Sequence, residues 1–373
     1  MAANASHLVG TANGSDQVPE VPTYTIIQAD GIYPDDVVEQ EIFTANPPHP
    51  YKLNYVSTPL FPVGAPTPKP WSTIPKDLRD QVDGILVLKM GFTAADLELF
   101  PKLKVIVRMG VGYDRLDRDA LAKRGVTVCN VPDYGTAEIA DHALALALSL
   151  RRGIILHHER QRQPYVAPWM YIETPLISRI QQPQAVFGIL GLGRIGTAAC
   201  LRARAFGWNV LFYDPYLPNG VDKALGIERT KDIAELFRRS TTLSIHCACT
   251  RETRGMIGWD LVKLMPRGAV LVNTARGEVL QLDALERALR EGILAGVGLD
   301  VLPQEPIPED AVHPLIKAYR DKEEWLVGRM VVTPHTAFYS PQSFVDIRVK
   351  SAQTMREVLI DGLQSNVITP DML

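Results

Sequence analysis

Three short apolar segments of the sequence each end in a polar side chain with a distinct chemical capacity. The segments run from Val270 to Arg276, from Gly296 to Glu305 and from Met330 to His335. A guanidinium holds a carboxylate through two hydrogen bonds, and an imidazole exchanges a proton near neutral pH. A carboxylate beside an imidazole fixes its tautomer and favours its charged form. If these segments are parallel strands of one sheet, Arg276, Glu305 and His335 converge at its carboxyl edge, where open α/β sheets bind ligands.

Length and composition set the frame for this site. A chain of 373 residues is longer than a single hydrophobic core usually grows, so we expect two domains. With 46% hydrophobic and 22% charged residues and a formal net charge of −3, nothing in the composition favours direct binding to nucleic acid or to an anionic membrane. No signal peptide and no apolar run long enough to span a membrane is evident, so we predict a cytoplasmic protein.

The four cysteines favour reduced thiols in apolar surroundings rather than a disulfide framework. Cys247 and Cys249 could form half of a metal site, but no second Cys or His pair at ligand spacing lies nearby in the sequence. We therefore predict no metal.

The chain alternates short apolar runs with longer amphipathic stretches, a pattern typical of parallel sheets covered by helices. Residues 1–22 show no periodicity and are predicted to be a disordered tail. A first series of strands is expected at Thr23 to Gln28, Leu53 to Val56, Gly84 to Leu88, Lys104 to Arg108 and Val126 to Cys129. A second series of six strands is expected at Ala185 to Leu190, Asn209 to Tyr213, Leu243 to His246, Ala269 to Asn273, Val297 to Leu299 and Met330 to Thr333.

Two helical stretches bear on how the domains are assembled. Residues 137–150 are rich in alanine and leucine on all sides, so this helix must be covered by another part of the protein, and a second subunit is one candidate. A last amphipathic helix, about Pro341 to Leu363, follows the second series and is expected to return to the first domain. We therefore predict a first domain of residues 23–134 plus 337–373 and a second domain of residues 135–336, with the proposed site beside the crossing points.

A glycine-rich loop at the start of the second domain matches the dinucleotide-binding fingerprint. Gly191, Gly193 and Gly196 follow an apolar strand directly and open a helix, and the next strand ends in Asp214, 18 residues after Gly196. The first glycine permits the tight turn, the second lets the backbone approach the pyrophosphate, and the third lets helix and strand pack closely. Asp214 would accept hydrogen bonds from the adenosine ribose and repel a 2′-phosphate, which favours NAD(H) over NADP(H).

With a nicotinamide cofactor beside them, the three polar residues suit hydride exchange with a 2-oxo or 2-hydroxy acid. Arg276 would clamp the carboxylate and polarise the keto oxygen. His335 would supply the proton as hydride reaches carbon 2, and would remove it in the reverse direction. Glu305 would hydrogen-bond the other imidazole nitrogen and orient the ring.

The same motifs resemble those of the NAD-dependent D-isomer-specific 2-hydroxyacid dehydrogenases, from about Tyr24 onward. Residues 191–196, 273–277, 300–306 and 333–335 carry the resemblance, and residues 202–221 and 335–340 are most similar to the C-terminal-binding-protein branch of that family. The resemblance implies an α/β fold of two Rossmann-like domains, a flavodoxin-like substrate domain and a doubly wound dinucleotide-binding domain, with a cleft between them.

The resemblance also implies further contacts. The backbone amides of Val111 and Gly112 would bind the substrate carboxylate, unless residues 108–114 are a plain tight turn. Asp300 would meet the nicotinamide amide, unless its carboxylate only caps a loop. Cofactor contacts are further implied for Thr136, Arg194, Ile195, Cys247, Thr253 and Thr274.

Substrate choice is expected to depend on a small apolar set. Met90 and Phe92 follow a first-domain strand and would suit an apolar substrate tail, although either could equally be core. Lys89 beside them is more consistent with a solvated charge than with a second carboxylate clamp. Phe338 stands where corepressor members of the family carry tryptophan, and Val111 where they carry serine, so their substrate preference does not transfer directly.

Two functions remain compatible with the sequence. The first is an NAD(H)-dependent D-2-hydroxyacid dehydrogenase, acting as a reductase of glyoxylate, hydroxypyruvate or a bulkier apolar 2-oxo acid. The second is an NADH-sensing corepressor that binds proteins, has only weak dehydrogenase activity and could be nuclear. We favour the enzyme because the sequence ends at Leu373 without the long tail that regulatory members often carry. The family and the apolar helix both favour a homodimer.

Overall fold

The computed structural model describes residues 21–162, 169–308 and 310–372. Most of the predicted disordered tail, residues 1–20, therefore lies outside the described residues. The described chain forms two parallel sheets, one of five strands and one of seven, each covered by helices. The predicted α/β class is confirmed.

The first sheet has the strand order β2-β1-β3-β4-β5 with every neighbouring pair parallel, which is the flavodoxin-like order. Its strands are β1 (Thr23–Gln28), β2 (Lys52–Ser57), β3 (Gly84–Val87), β4 (Val105–Arg108) and β5 (Thr127–Asn130). The helices along this part of the chain are α1 (Val37–Thr44), α2 (Lys76–Arg79), α3 (Ala94–Leu97), α4 (Arg118–Lys123), α5 (Thr136–Arg151) and α6 (Ile154–Gln161). Strands β3 and β4 are apolar and buried almost throughout, as expected for a sheet covered on both faces.

The second sheet has the order β12-β11-β10-β9-β6-β7-β8, again with all neighbours parallel. Its strands are β6 (Val186–Leu190), β7 (Asn209–Tyr213), β8 (Glu228–Arg229), β9 (Thr242–Ile245), β10 (Ala269–Asn273), β11 (Leu294–Leu299) and β12 (Met330–Val332). Its helices are α7 (Arg194–Ala205), α8 (Val221–Leu225), α9 (Ile233–Arg239), α10 (Trp259–Val262), α11 (Leu282–Arg290) and α12 (Pro314–Arg320). The sequence predicted six strands, and it missed β8 because this two-residue edge strand contains only charged side chains.

The last helix, α13 (Pro341–Leu359), packs on the first sheet although it follows the last strand of the second. Gly84 in β3 allows the close approach, because a Cβ there would lie 2.7 Å from the sulfur of Met355. Arg348 of α13 donates to both carboxylate oxygens of buried Glu39 in α1, at 2.9 and 2.6 Å. The chain thus passes from one sheet to the other twice, although the domain boundaries at residues 134/135 and 336/337 stay a prediction.

Helix α5 is covered by its own chain. Its buried residues include Ala143, Leu146 and Leu150, which pack in one cluster with the strands and helix of the second sheet. A Cβ on Gly298 of β11 would lie 3.1 Å from Leu146, so the helix sits directly on that sheet. Packing within the chain accounts for the apolar character of this helix, so a subunit interface at α5 stays a prediction.

Within the described ranges, no helix is both long enough and apolar enough to cross a membrane.

Candidate active site

His335 and Glu305 form a close pair past the carboxyl ends of β12 and β11. His335 Nδ1 lies 2.6 Å from Glu305 Oε2, and the other carboxylate oxygen accepts from the Leu302 amide at 2.9 Å. Burial alone would raise the pKa of Glu305, but the hydrogen bond and charge of His335 and the Leu302 amide hold it below its usual value. An ionised carboxylate can only accept, so Nδ1 of His335 carries the proton of this bond and Nε2 is the nitrogen left for other partners.

The loop that carries His335 is held by Asp300. The backbone carbonyl of Asp300 accepts from the His335 amide at 2.7 Å, and its carboxylate accepts from the amides of Thr336 and Ala337 at 2.9 and 3.0 Å. His335 has a φ of +52°, a left-handed conformation that such a bonded loop can enforce. The Asp300 side chain is 2% exposed. The structure therefore shows a loop-capping role for Asp300, and its contact with the nicotinamide amide stays a prediction.

A hydroxyl and a second histidine extend this network. Thr333 Oγ1 donates to Asp300 Oδ1 at 2.6 Å and lies 2.9 Å from His142 Nε2. Because a hydroxyl has one proton, His142 Nε2 is the donor in the second contact. Helix α5 is thereby connected to the loop that positions His335.

Arg276 follows β10 and reaches across to the first domain. Its Nε donates to Asp114 Oδ1 at 3.0 Å and its Nη1 donates to the Ala275 carbonyl at 2.9 Å. Its Nη2 lies against Gly112, since a Cβ there would be 1.8 Å away. The structure thus places Arg276 beside residues 111–112, the predicted carboxylate-binding turn, although binding of a carboxylate by these amides stays a prediction.

That turn, residues 111–112, follows β4 and is fixed by a hydrogen bond from a side chain of β5. The Val111 carbonyl accepts from Asn130 Nδ2 at 2.7 Å, so its peptide orientation is fixed. A second guanidinium, that of Arg108, lies beside Gly110 and the hydroxyl of Tyr134. Two arginines therefore lie near the turn, and both raise the local positive potential.

The substrate-contact prediction for Met90 and Phe92 is corrected in favour of the core alternative. Phe92 is 0% exposed, with its ring centroid 5.1 Å from that of Trp71 and 5.9 Å from that of Phe100. Met90 is buried in the same cluster, whereas Lys89, which precedes it, is exposed. Phe338 alone of the predicted apolar set lies beside the catalytic pair, with its ring centroid 6.4 Å from that of His335.

The three glycines of the fingerprint have different surroundings. Gly191 has a φ of +88°, and a Cβ there would meet the Cys247 backbone at 2.7 Å. A Cβ on Gly196 would lie 2.2 Å from the Gly191 carbonyl oxygen, whereas a Cβ on Gly193 would meet nothing within 4 Å. These environments fit a tight turn, a close packing of helix on strand, and an open position that a pyrophosphate could approach.

Asp214 closes the loop at the end of β7. One carboxylate oxygen accepts from the Leu192 amide at 2.9 Å and the other from the Tyr216 amide at 3.0 Å. Each oxygen retains a lone pair for a ribose hydroxyl. Arg194 and Ile195 begin α7, whose first-turn amides have no partner within the helix. Thr253, by contrast, uses its hydroxyl within its own loop, where it donates to the Ala248 carbonyl at 2.6 Å.

Unpartnered buried polar atoms provide a test of whether a dinucleotide fits this site. The hydroxyls of Thr136 and Thr274 and Nδ1 of His246 are buried without a hydrogen-bond partner. Orphaned buried groups are unfavourable unless something satisfies them. Thr136 and Thr274 belong to the predicted cofactor set, so these residues fit a bound nicotinamide dinucleotide. Burial lowers the pKa of His246 to about 4, so its imidazole is neutral at physiological pH.

Sequence reasoning missed three residues of this region. Asp114 lay in the predicted loop of residues 108–114 but received no role, and its signal was a carboxylate two residues after Gly112. His246 stood at the end of a predicted strand, and His142 lay within an apolar helix pattern that concealed it. Among the described residues, no cluster of His, Cys, Asp and Glu could hold a metal ion.

Comparison with known proteins agrees with this geometry. A family model described as the NAD-binding domain of D-isomer-specific 2-hydroxyacid dehydrogenases matches residues 144–337. The chain is 36% identical over 282 residues to a glyoxylate reductase of Korarchaeum cryptofilum, an alignment that covers 74% of this chain and 79% of that protein. It is 33% identical over 287 residues to C-terminal-binding protein 1 of Caenorhabditis elegans, covering 76% of this chain but only 38% of that protein.

A solved structure extends the likeness to both sheets. The D-lactate dehydrogenase of Aquifex aeolicus, complexed with NAD and lactic acid, superposes with a TM-score of 0.72 at 26% identity, over 93% of this chain and all of that one. The predicted family and the two Rossmann-like domains are thereby confirmed. The chain belongs to the D-isomer-specific 2-hydroxyacid dehydrogenases, which are NAD-binding oxidoreductases.

Proposed function

We propose that this protein is an NADH-dependent reductase of small 2-oxo acids that yields D-2-hydroxy acids. The observation that carries the proposal is the 2.6 Å pair of His335 and Glu305 at the sheet edge where Arg276 also lies. Glyoxylate, hydroxypyruvate and a bulkier apolar 2-oxo acid are the candidate substrates. The glyoxylate reductase and D-lactate dehydrogenase among the relatives support this substrate class.

The residues divide the chemistry between them. A bound nicotinamide cofactor would supply the hydride for carbon 2, and Nε2 of His335 would give its proton to the developing alkoxide oxygen. Ionised Glu305 holds Nδ1–H and stabilises the positive imidazolium before transfer. Arg276 holds the substrate carboxylate and keto oxygen with the amides of Val111 and Gly112, which orients carbon 2 for the hydride.

Asp214 supports the assignment of NAD(H) as the coenzyme. A carboxylate that already accepts two backbone amides is held rigidly where the adenosine ribose is expected. A 2′-phosphate at this position would meet a negative charge. We expect NADH to support faster turnover than NADPH at equal concentration. The same proposal includes contacts to the cofactor from Thr136, Cys247, Thr253 and Thr274.

The test is a panel of 2-oxo acids with the wild type and the Arg276→Ala variant, followed by NADH absorbance. The variant is expected to lose turnover of every acid and to retain NADH affinity, because Arg276 follows β10 and the glycine loop follows β6, with β9 between these two strands. Arg320→Ala, an exposed arginine on α12, is the matched control and should behave as wild type. Turnover that survives in Arg276→Ala would exclude the carboxylate clamp.

A second candidate function is favoured by the 33% identity to a C-terminal-binding protein. In that case the protein senses NADH, binds other proteins and reduces 2-oxo acids only weakly. Negligible turnover of every acid in the panel, together with assembly driven by NADH, would establish this alternative in place of the reductase.

We further propose a homodimer in the cytoplasm. The support for a dimer comes from exposed apolar side chains in α6 and at residues 169–171, not from α5. Trp169, Met170 and Tyr171 are 91%, 63% and 70% exposed, and Ile154 is 54% exposed. Exposed apolar clusters of this kind are common at subunit interfaces. Light scattering at micromolar concentration should give the mass of a dimer, and a monomer mass would exclude it.

A further inference from the structure

The two domains meet through an ion pair next to the proposed carboxylate site. Asp114 lies past β4 of the first sheet and Arg276 past β10 of the second. Their contact, Arg276 Nε to Asp114 Oδ1, is 3.0 Å long, and the two side chains are 20% and 11% exposed. An ion pair removed from water to this degree has a defined geometry, unlike a mobile surface pair.

The contacts of the guanidinium leave one edge free. Asp114 takes Nε and the Ala275 carbonyl takes a proton of Nη1. Nη2 is then directed along Gly112, in the turn whose amides we assign to the substrate carboxylate. Asp114 is two residues from Gly112, so a single ion pair aligns the arginine of one domain with the turn of the other.

The charges around Asp114 keep this partner ionised. Burial alone would raise the pKa of its carboxyl group, but the charges of Arg276 and Arg108 and the hydrogen bond from Arg276 hold it below its usual value. The titratable groups that face Asp114 are the cations of Arg276 and Arg108, the phenol of Tyr113 and the thiol of Cys249. Asp114 therefore faces Arg276 as an anion across the neutral pH range.

We propose that Asp114 is a positioning residue, which orients the Arg276 guanidinium and joins the two domains so that Nη2 is presented to the 2-oxo acid. This inference rests on the proposed function. Asp114 does not touch the substrate. It accepts from Nε of Arg276 and leaves Nη2 for the substrate carboxylate. Without Asp114 the guanidinium would not be fixed, and the substrate carboxylate would bind in a variable orientation.

The test compares Asp114→Asn with the matched control Asp119→Asn in the full-length protein with NADH. Asp119 also pairs with an arginine of the second domain, Arg251 at 3.6 Å, but its side chain is 58% exposed and that of Arg251 97%. We expect Asp114→Asn to lower kcat/KM for the best 2-oxo acid by about 100-fold, with a higher KM and a lower kcat. Asp119→Asn should leave both constants within about twofold of wild type.

Two readouts separate a positioning role from a merely structural one. NADH affinity should be the same in wild type and Asp114→Asn, which also shows that the variant is folded. Asp114→Glu, which keeps the charge, serves as the second variant and should recover part of the lost kcat/KM. In an Arg276→Lys background no planar guanidinium remains to be oriented. The fold-loss of kcat/KM caused by Asp114→Asn should there be less than a tenth of the fold-loss in the wild-type background. An equal effect in both backgrounds, or a wild-type kcat/KM in Asp114→Asn, would overturn the inference.

Binding of oxamate, a non-reducible 2-oxo acid analogue, distinguishes this inference from the proposed function. If wild type reduces no acid in the panel, the proposed function fails, and oxamate binding to the NADH complex then decides the role of Asp114. Loss of oxamate binding in Asp114→Asn would support the positioning role. Equal oxamate binding in both proteins, or no binding by either, would overturn it.

Discussion

Replacement of Gly112 by alanine adds one methyl group at a crowded point of the proposed site. An ideal Cβ at this position lies 1.8 Å from Arg276 Nη2, 2.7 Å from its Cζ and 3.0 Å from Asp114 Oδ1. Real Cβ atoms do not approach other heavy atoms within 3.0 Å, so the guanidinium must move by about 1.2 Å or more. The backbone itself can accept alanine, because Gly112 does not have a positive φ.

We expect this displacement of the guanidinium to have a large effect on activity and a small effect on stability. A displacement of about 1 Å of a substrate-positioning group reduces turnover on the order of 100-fold, equivalent to about 2.7 kcal/mol of transition-state stabilisation. The fold should tolerate the change, because the group that moves is the end of a flexible side chain rather than backbone. We therefore expect kcat/KM for the best 2-oxo acid to fall about 100-fold in Gly112→Ala, with little change in melting temperature or in NADH affinity.

The assay is steady-state NADH oxidation, combined with NADH fluorescence titration and thermal unfolding. Gly91→Ala is the matched control, since it lies in the same domain, also lacks a positive φ, and would place its Cβ no closer than 3.4 Å to any neighbour, the Arg115 carbonyl. A kcat/KM in Gly112→Ala within about threefold of wild type would refute the placement of the clamp beside this turn.

Three further predictions follow from individual environments. Gly196→Ala should abolish NADH binding, because its Cβ would lie 2.2 Å from the Gly191 carbonyl and only backbone could move; fluorescence titration measures this. Phe92→Ala should lower the free energy of unfolding in urea by about 3 to 5 kcal/mol, as for other buried aromatic residues, without altering KM. The third concerns pH. The pKa of Glu305 is lower in the folded protein than in the unfolded chain, so its ionised form stabilises the fold above pH ~4.3, and this contribution is lost as the pH falls through the folded pKa. The difference in melting temperature between wild type and Glu305→Gln should therefore be largest near pH ~6 and shrink toward pH ~3.

Each of these has a clear contrary result. Unchanged NADH affinity in Gly196→Ala would mean that α7 does not pack on the glycine turn as described. A raised KM in Phe92→Ala with unchanged stability would restore the substrate-contact role that the structure argues against. A melting-temperature difference that does not depend on pH would mean that Glu305 is not ionised against His335.

Local patterns in the sequence were sufficient to predict most of the fold and the main members of the site. Short runs of three to six residues predicted every strand except β8, because buried parallel strands must be apolar on both faces. The spacing of Gly191, Gly193 and Gly196 predicted the nucleotide turn, since each glycine answers a steric demand of adjacent residues. Strand-end positions predicted that Arg276, Glu305 and His335 share one edge, because parallel strands all end on the same side.

Properties that depend on which residues meet across the fold could not be predicted in this way. An apolar residue after a strand looks the same whether it faces a core or a substrate, and only packing placed Phe92 among Trp71 and Phe100. The apolar helix α5 likewise suggested a subunit interface, and only packing showed that its own sheet covers it.

The same limit applies to the charged groups. Asp300 is a carboxylate at a strand end, as a cofactor ligand would be, but its partners are amides 36 and 37 residues later in the chain. Asp114 and Arg276 are 162 residues apart, and no local periodicity relates them. The sequence by itself determined the strands, the glycine turn and the residue types available for hydride transfer, because these follow from near neighbours. Only the tertiary structure decided which carboxylate holds the arginine and which holds the histidine loop, because hydrogen bonds and burial depend on distances in space.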